Sequence, residues 1–213
     1  MGFEHEKVMA ALVYFRNVCQ IVIHVKAAHL TDNSKLMGDT HYRNQFETRT
    51  SGGLNNLLVR ERWERDLFNG SYDGCKPVHR PKYGVANMVN DPRGIQSAKQ
   101  YGECFLELSP AARRRCTFSG ADSGGIQADR LATCQYYAHV LMKDYDDAEL
   151  STLLLVANRN PLFMPSETIK DYKEVHIQGS HSAPGHSPLR LPRLTVPCAL
   201  YTACLHSSVT PWL

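Results

Sequence analysis

The chain contains no run of about 20 apolar residues, the length a helix needs to cross a bilayer. Its first segment, MGFEHEKVMAALVYFRNVCQIVIHVK, also has neither the basic start nor the unbroken apolar stretch of a signal peptide. Glu4 and Glu6 precede its apolar part, and Arg16, Asn17 and Gln20 interrupt it. The expectation is a cytoplasmic protein with no membrane partner. Charge of one sign is equally scarce: 24 Lys+Arg stand against 21 Asp+Glu, a net of +3, without the basic excess of a nucleic-acid binder. The seven cysteines are scattered and odd in number, and no CxxC, CxxxC or HxxxH pair occurs. Zinc-type ligand spacing is therefore absent, and buried reduced thiols, not a disulfide framework, are expected. No metal is expected. There is no Walker phosphate loop, GxSxG, HExxH or GxGxxG, and no internal repeat. What is present, 43% hydrophobic and 21% charged residues in 213, is ordinary for a globular domain and excludes collagen, a coiled coil and overall disorder.

The element pattern reads as α+β, a mixed or antiparallel sheet with flanking helices. Val8, Leu12, Tyr14 and Phe15 suit an amphipathic helix from Glu4 to about Cys19. The β-branched stretch Gln20–Val25 suits a buried strand. HYRNQFETRTSGG, residues 41–53, alternates as a strand leading into a glycine turn, with Arg43, Gln45 and Glu47 on one face. Leu57–Phe68 returns to helical spacing through Leu58, Trp63 and Leu67. Residues 103–108 and 115–119 read as strands, and helices follow over Asp129–Lys143 and Asp146–Asn158, the second capped by Asp146 or a neighbour. The last strand, residues 171–179, places Glu174, His176 and Gln178 on one face and Val175 and Ile177 on the other.

Composition changes at Ser180. The final 34 residues hold five Pro, five Ser and no acid. Prolines interrupt every apolar run, so this stretch reads as an irregular tail, an altered or truncated end beside a single domain over residues 1–179. Both tail charges, Arg190 and Arg193, are basic, which leaves the domain with 22 Lys+Arg against 21 Asp+Glu. The slight basicity marks that boundary and says nothing about a nucleic-acid partner; a protein or nucleic-acid acceptor stays open.

Three polar clusters carry candidate chemistry. Arg43, among Gln45, Glu47 and Thr48, reads as a solvated strand face or as an anion site, because a guanidinium binds phosphate bidentately. HRPKYGVAN carries Arg80, Lys82 and Tyr83 beside a proline and a glycine, a rigid loop suited to a phosphate and a stacked base, or an ordinary turn. Thr117 and Ser119 share one strand face, and Glu174, His176 and Gln178 share another; each is either a plain polar face or part of a site. GADSGG is similar to the GDSGG around a trypsin-like nucleophile, but nothing else in the chain follows that pattern.

The segments YRNQFETRTSGG, RWERDLFNGSYDG, RPKYGVAN, GECFLELSPAARRRCTFSGADS and YKEVHIQG together resemble a domain family of unknown function over roughly residues 5–179. In order and residue type, Arg43, Thr117-Phe118-Ser119 and Glu174 are also similar to ADP-ribosyltransferases of the arginine–serine–glutamate type. That similarity implies NAD as substrate, with Arg43 on its phosphate, Ser119 and Thr117 positioning the ribose, and Glu174 catalytic. Arg80, Tyr83, His79 and Gln178 would complete the nucleotide contacts. Two alternatives stand beside it. One is a module for another nucleotide or a phosphorylated metabolite, using His79, His139 or His176 as acid–base groups. The other is a non-enzymatic interaction protein or inactive truncated isoform.

Overall fold

Residues 20–25, QIVIHV, are almost entirely β-branched or apolar, and in the computed structural model they form the buried strand β1 (Gln20–Val25) near the middle of an antiparallel sheet. The structure describes residues 3–30, 42–53, 55–159 and 162–179, together with the backbone of 193–195. The remaining strands are β2 (Lys82–Asn87), β3 (Cys104–Glu107), β4 (Cys116–Phe118), β5 (Ala132–Thr133), β6 (Glu174–Ile177) and β7 (Arg193–Thr195). Their order across the sheet is β5-β4-β6-β2-β1-β3-β7, with every pair antiparallel. The chain is thus α+β.

Register sorts the side chains into two faces, because residues directly opposite across antiparallel strands point the same way. Val22 faces Val85, Val85 faces Glu174, Tyr83 faces His176, and His176 faces Thr117. That face is polar where β2, β6 and β4 meet. The opposite face carries Ile21, Ile23, Ala86, Leu106, Cys116, Phe118, Val175 and Ile177, all buried. Helices α1 (His5–Asn17) and α5 (Asp147–Asn158) pack on one another, and Phe15 of α1 meets Phe118 edge-on and stacks on Tyr137 at 3.6 Å. Ala11, Tyr14 and Phe15 fall at helical spacing, which is why α1 buries that stripe. Arg113 closes the C-terminal end of α1 by donating to the carbonyls of Phe15, at 2.8 Å, and Cys19. Asp146 caps α5, accepting from the Glu149 amide at 2.8 Å.

Three expectations are corrected. Residues 41–53 contain no strand among those described: Gln45–Thr48 form a one-turn helix, α2, after Asn44. Asn44-x-x-Glu47 is a capping box, in which the Asn44 side chain accepts from the Phe46 and Glu47 amides while Glu47 accepts from the Asn44 amide at 2.9 Å. RPKYG is no surface loop; its Lys82-Tyr83-Gly84 begins β2 at the sheet centre. The helix expected over Asp129–Lys143 is a 3-10 turn (Ala128–Arg130), then β5, and only then α4 (Ala138–Asp144), because pairing of Ala132 with Phe118 at the sheet edge takes its first half. Helix α3 (Leu57–Leu67) forms where its spacing indicates, although Leu58 points outward at 78% exposure. The expected tail lies outside the described residues except for 193–195, whose backbone pairs with β3. The described cysteines are thiols, and burial pushes Cys19 and Cys116 up to about 12.

Candidate functional site

The polar face of the sheet floors an open cleft of about 770 Å³. Tyr83 and Glu174 reach it from β2 and β6, and His24 from β1. Segment 42–52 forms one wall and brings Arg43 and Gln45, while α3 contributes Arg60 and Trp63, one turn apart on a single helix face. Asp122 and Ser123, with Tyr101 and Tyr172, close the remaining side. The size and the mixture of aromatic and charged lining suit a small organic ligand.

Glu174 is the most buried acid of the cleft. Its Oε2 accepts from the Ser123 backbone amide at 2.5 Å and lies 3.8 Å from His176 Nε2, and its side chain is 11% exposed. The loop that supplies Ser123 is anchored on β6 itself, since the Ser119 amide donates to the Glu174 carbonyl at 3.1 Å. The Ser119 hydroxyl then turns back to the Ala121 carbonyl at 2.7 Å. Asp122 accepts from the Gly124 amide at 2.8 Å and from the Tyr172 hydroxyl, which meets the Tyr101 hydroxyl at 2.8 Å. Burial, followed by the Asp122 carboxylate beside it, holds the Tyr172 phenol well above its ordinary range.

Alongside the cleft lies a buried charge pair. Glu64 of α3 accepts from Arg80 at 2.7 Å through one oxygen and from the Tyr83 hydroxyl at 2.7 Å through the other. Burial raises the Glu64 carboxyl more than the hydrogen bonds from Tyr83 and Arg80 lower it. Burial also lifts the Tyr83 phenol, with Glu64 adding to it. Arg80 lies over the Phe46 ring at 4.4 Å. His24 is equally committed: the Ile95 amide donates to Nε2 at 3.0 Å, so the ring proton sits on Nδ1 and goes to the Gly102 carbonyl at 2.8 Å. Burial lowers its pKa, and the neutral ring is built into the wall.

Of the residues singled out in the sequence, the structure brings Arg43, Tyr83 and Glu174 to one cleft. Arg80, Thr117, Ser119 and Gln178 do not line it. Arg80 is buried against Glu64, Ser119 is fully buried under its own loop, and Thr117 and Gln178 bond to each other beside His176. His79 lies in the 3-10 turn Pro77–His79, outside the lining, and His139 bonds the Leu131 carbonyl at 2.9 Å. Sequence reasoning missed Arg60, Trp63, Ser123, Tyr101 and Tyr172. Arg60 donates to Ser51 at 2.8 Å, and Gln45 Nε2 is a buried donor with no partner among the described residues. Among the described residues no cluster of His, Cys, Asp or Glu could hold a metal, and no helix is long and apolar enough to cross a membrane.

Residues 24–174 match a family described as protein of unknown function, DUF3626. No curated protein matches the chain.

Proposed function

The chain belongs to the DUF3626 family of proteins of unknown function, and from that premise we propose that the cleft binds NAD and transfers its ADP-ribose. The observation that carries this reading is that Arg43, Tyr83 and Glu174, far apart in sequence, line one cleft. Arg43 and Arg60 supply cationic forks for the pyrophosphate, and a guanidinium keeps its charge at any physiological pH. Trp63, Tyr101 and Tyr83 supply flat surfaces for the two ring systems. Glu174, its Oε2 fixed by the Ser123 amide, accepts a hydrogen bond from a ribose hydroxyl.

In the reaction the bond between the ribose anomeric carbon and the nicotinamide nitrogen breaks, and nicotinamide leaves neutral with the bonding electron pair. A nucleophile, water or an acceptor group, then adds to the anomeric carbon and loses its proton. The positive charge that develops on the ribose faces the Glu174 carboxylate, and a carboxylate that is mostly buried and held in place by a backbone amide stabilises that charge more than the ground state. Serine contributes by a different route from the one the sequence similarity implies: the backbone of Ser123 touches the carboxylate, whereas the Ser119 hydroxyl stays within its loop.

Binding is tested by thermal shift. NAD is expected to raise the melting temperature of the wild-type chain, by an amount that corresponds to about 2.7 kcal/mol at a hundredfold excess over Kd. Arg43→Ala should lose most of that shift. Equal shifts from ATP, inorganic pyrophosphate and NAD would support a general phosphate site instead.

A further inference from the structure

His176 is fully buried, yet its Nε2 has no hydrogen-bond partner among the described residues. A buried polar atom left unpaired costs free energy, so its retention calls for a reason. The atom lies 3.8 Å from Oε2 of Glu174, outside hydrogen-bond range but within reach of a small shift of the carboxylate.

The groups on the two sides of the ring favour one tautomer. Glu174 Oε2 can only accept, so a proton on Nε2 is favoured over a lone pair turned towards a carboxylate. Gln178 Nε2 donates to Thr117 Oγ1 at 3.1 Å, and Thr117 Oγ1 lies 3.3 Å from His176 Nδ1. With the proton on Nε2, Nδ1 accepts from the Thr117 hydroxyl, and the neutral imidazole faces Glu174 with its N–H. The ring cannot easily turn, because Phe68 and Tyr83 meet it edge-on at 5.4 and 5.7 Å with interplanar angles of 88° and 87°. Ser123 and His176 therefore both address Oε2, and Oε1 is the oxygen presented to a ligand.

We infer that His176 is a positioning residue for Glu174, with its tautomer set by the facing carboxylate and supported by a partly buried chain from Gln178 through Thr117. The inference rests on the reading of Glu174 given above. It gives Thr117 and Gln178 a role one layer beneath the cleft. The charged and titratable groups around the ring are Glu174 on its own strand, Tyr83 on β2, and Glu64 of α3 with its partner Arg80.

Two measurements on the full chain test it. The first needs no activity: nitrogen-15 NMR of the His176 ring should show a protonated Nε2 and an unprotonated Nδ1, and Thr117→Val should move the population towards Nδ1–H. A ring protonated on Nδ1 in the wild type would overturn the chain. The second is NAD hydrolysis. His176→Phe, which keeps a ring but removes the donor, should lower kcat by about 10- to 100-fold with KM within about twofold. His176→Gln, whose amide N–H reaches towards the same place, should recover much of that loss. An unchanged kcat in His176→Phe, or a loss entirely in KM, would overturn the positioning role. A wild type that does not hydrolyse NAD would defeat the reading of Glu174, while the tautomer measurement would still decide the chain.

Discussion

Arg80 shows how much of a residue's meaning depends on its partner. As part of RPKYG it has the chemistry of a phosphate ligand, but its guanidinium is buried against Glu64 and Phe46. Two buried charges of this kind tolerate each other and tolerate poorly the loss of either. Arg80→Met is expected to cost about 3–5 kcal/mol near neutral pH, because it leaves the Glu64 carboxylate without its counter-ion. The Glu64 carboxyl is already raised in the folded chain, so the fold binds this proton more readily than the unfolded chain does. The stabilisation that follows is full below the ordinary carboxyl range and is lost as pH rises through the folded value. Removal of Arg80 raises that value further. Urea unfolding should therefore show a larger penalty for Arg80→Met at about pH 8 than at about pH 5, and Glu64→Gln in the same background should relieve it. Penalties equal at both pH values would contradict this account of the pair.

At the scale of an element, α2 is the clearest case, since one turn of helix shapes a wall of the cleft. Alternation in HYRNQFETRT fits a strand as well as any segment of the chain, and Asn44-x-x-Glu47 is the signal that outweighs it. Asn44 also ties the turn to the segment that leads into β2 by donating to the carbonyls of Pro77, at 2.6 Å, and Arg80, at 3.1 Å. Asn44→Ala thus removes a cap and two further hydrogen bonds, and should cost about 2–3 kcal/mol by chemical denaturation. It should also weaken the NAD-dependent thermal shift, because Arg43 is its neighbour in sequence and lines the cleft. A cost below about 0.5 kcal/mol would contradict the anchoring role. The elements legible in the sequence are α1, α3 and α5, whose apolar residues fall at helical spacing, and β1, β3, β4 and β6, which read as apolar or alternating runs. The illegible ones, α2, β5 and the start of β2, are set by a cap, by edge pairing and by a charge pair, all of which depend on distant partners.

At the scale of the whole molecule, the sheet order performs what no local pattern reveals. It sets β2 between β1 and β6, so that Val85 lies opposite both Val22 and Glu174 and the polar side chains around them share one face. The order of the polar segments along the chain nominates Arg43, Ser119 and Glu174, and the RPKYG segment nominates Tyr83; of these, Ser119 does not line the cleft. It could not distinguish the Ser119 hydroxyl from the Ser123 amide four residues later, because that choice depends on how a loop curls over a strand. Nor could it expose Arg60 and Trp63, whose helical spacing reads equally well as a solvated or packed face. The action of Glu174 on a bound NAD is tested most directly by nicotinamide release from NAD by the wild type beside Glu174→Gln, a change that keeps shape and removes charge. Measurable release by the wild type is expected, with a loss of about 100-fold or more in the variant while its fold stays intact. Equal rates in the two proteins, or a wild type no faster than buffer, would contradict that action.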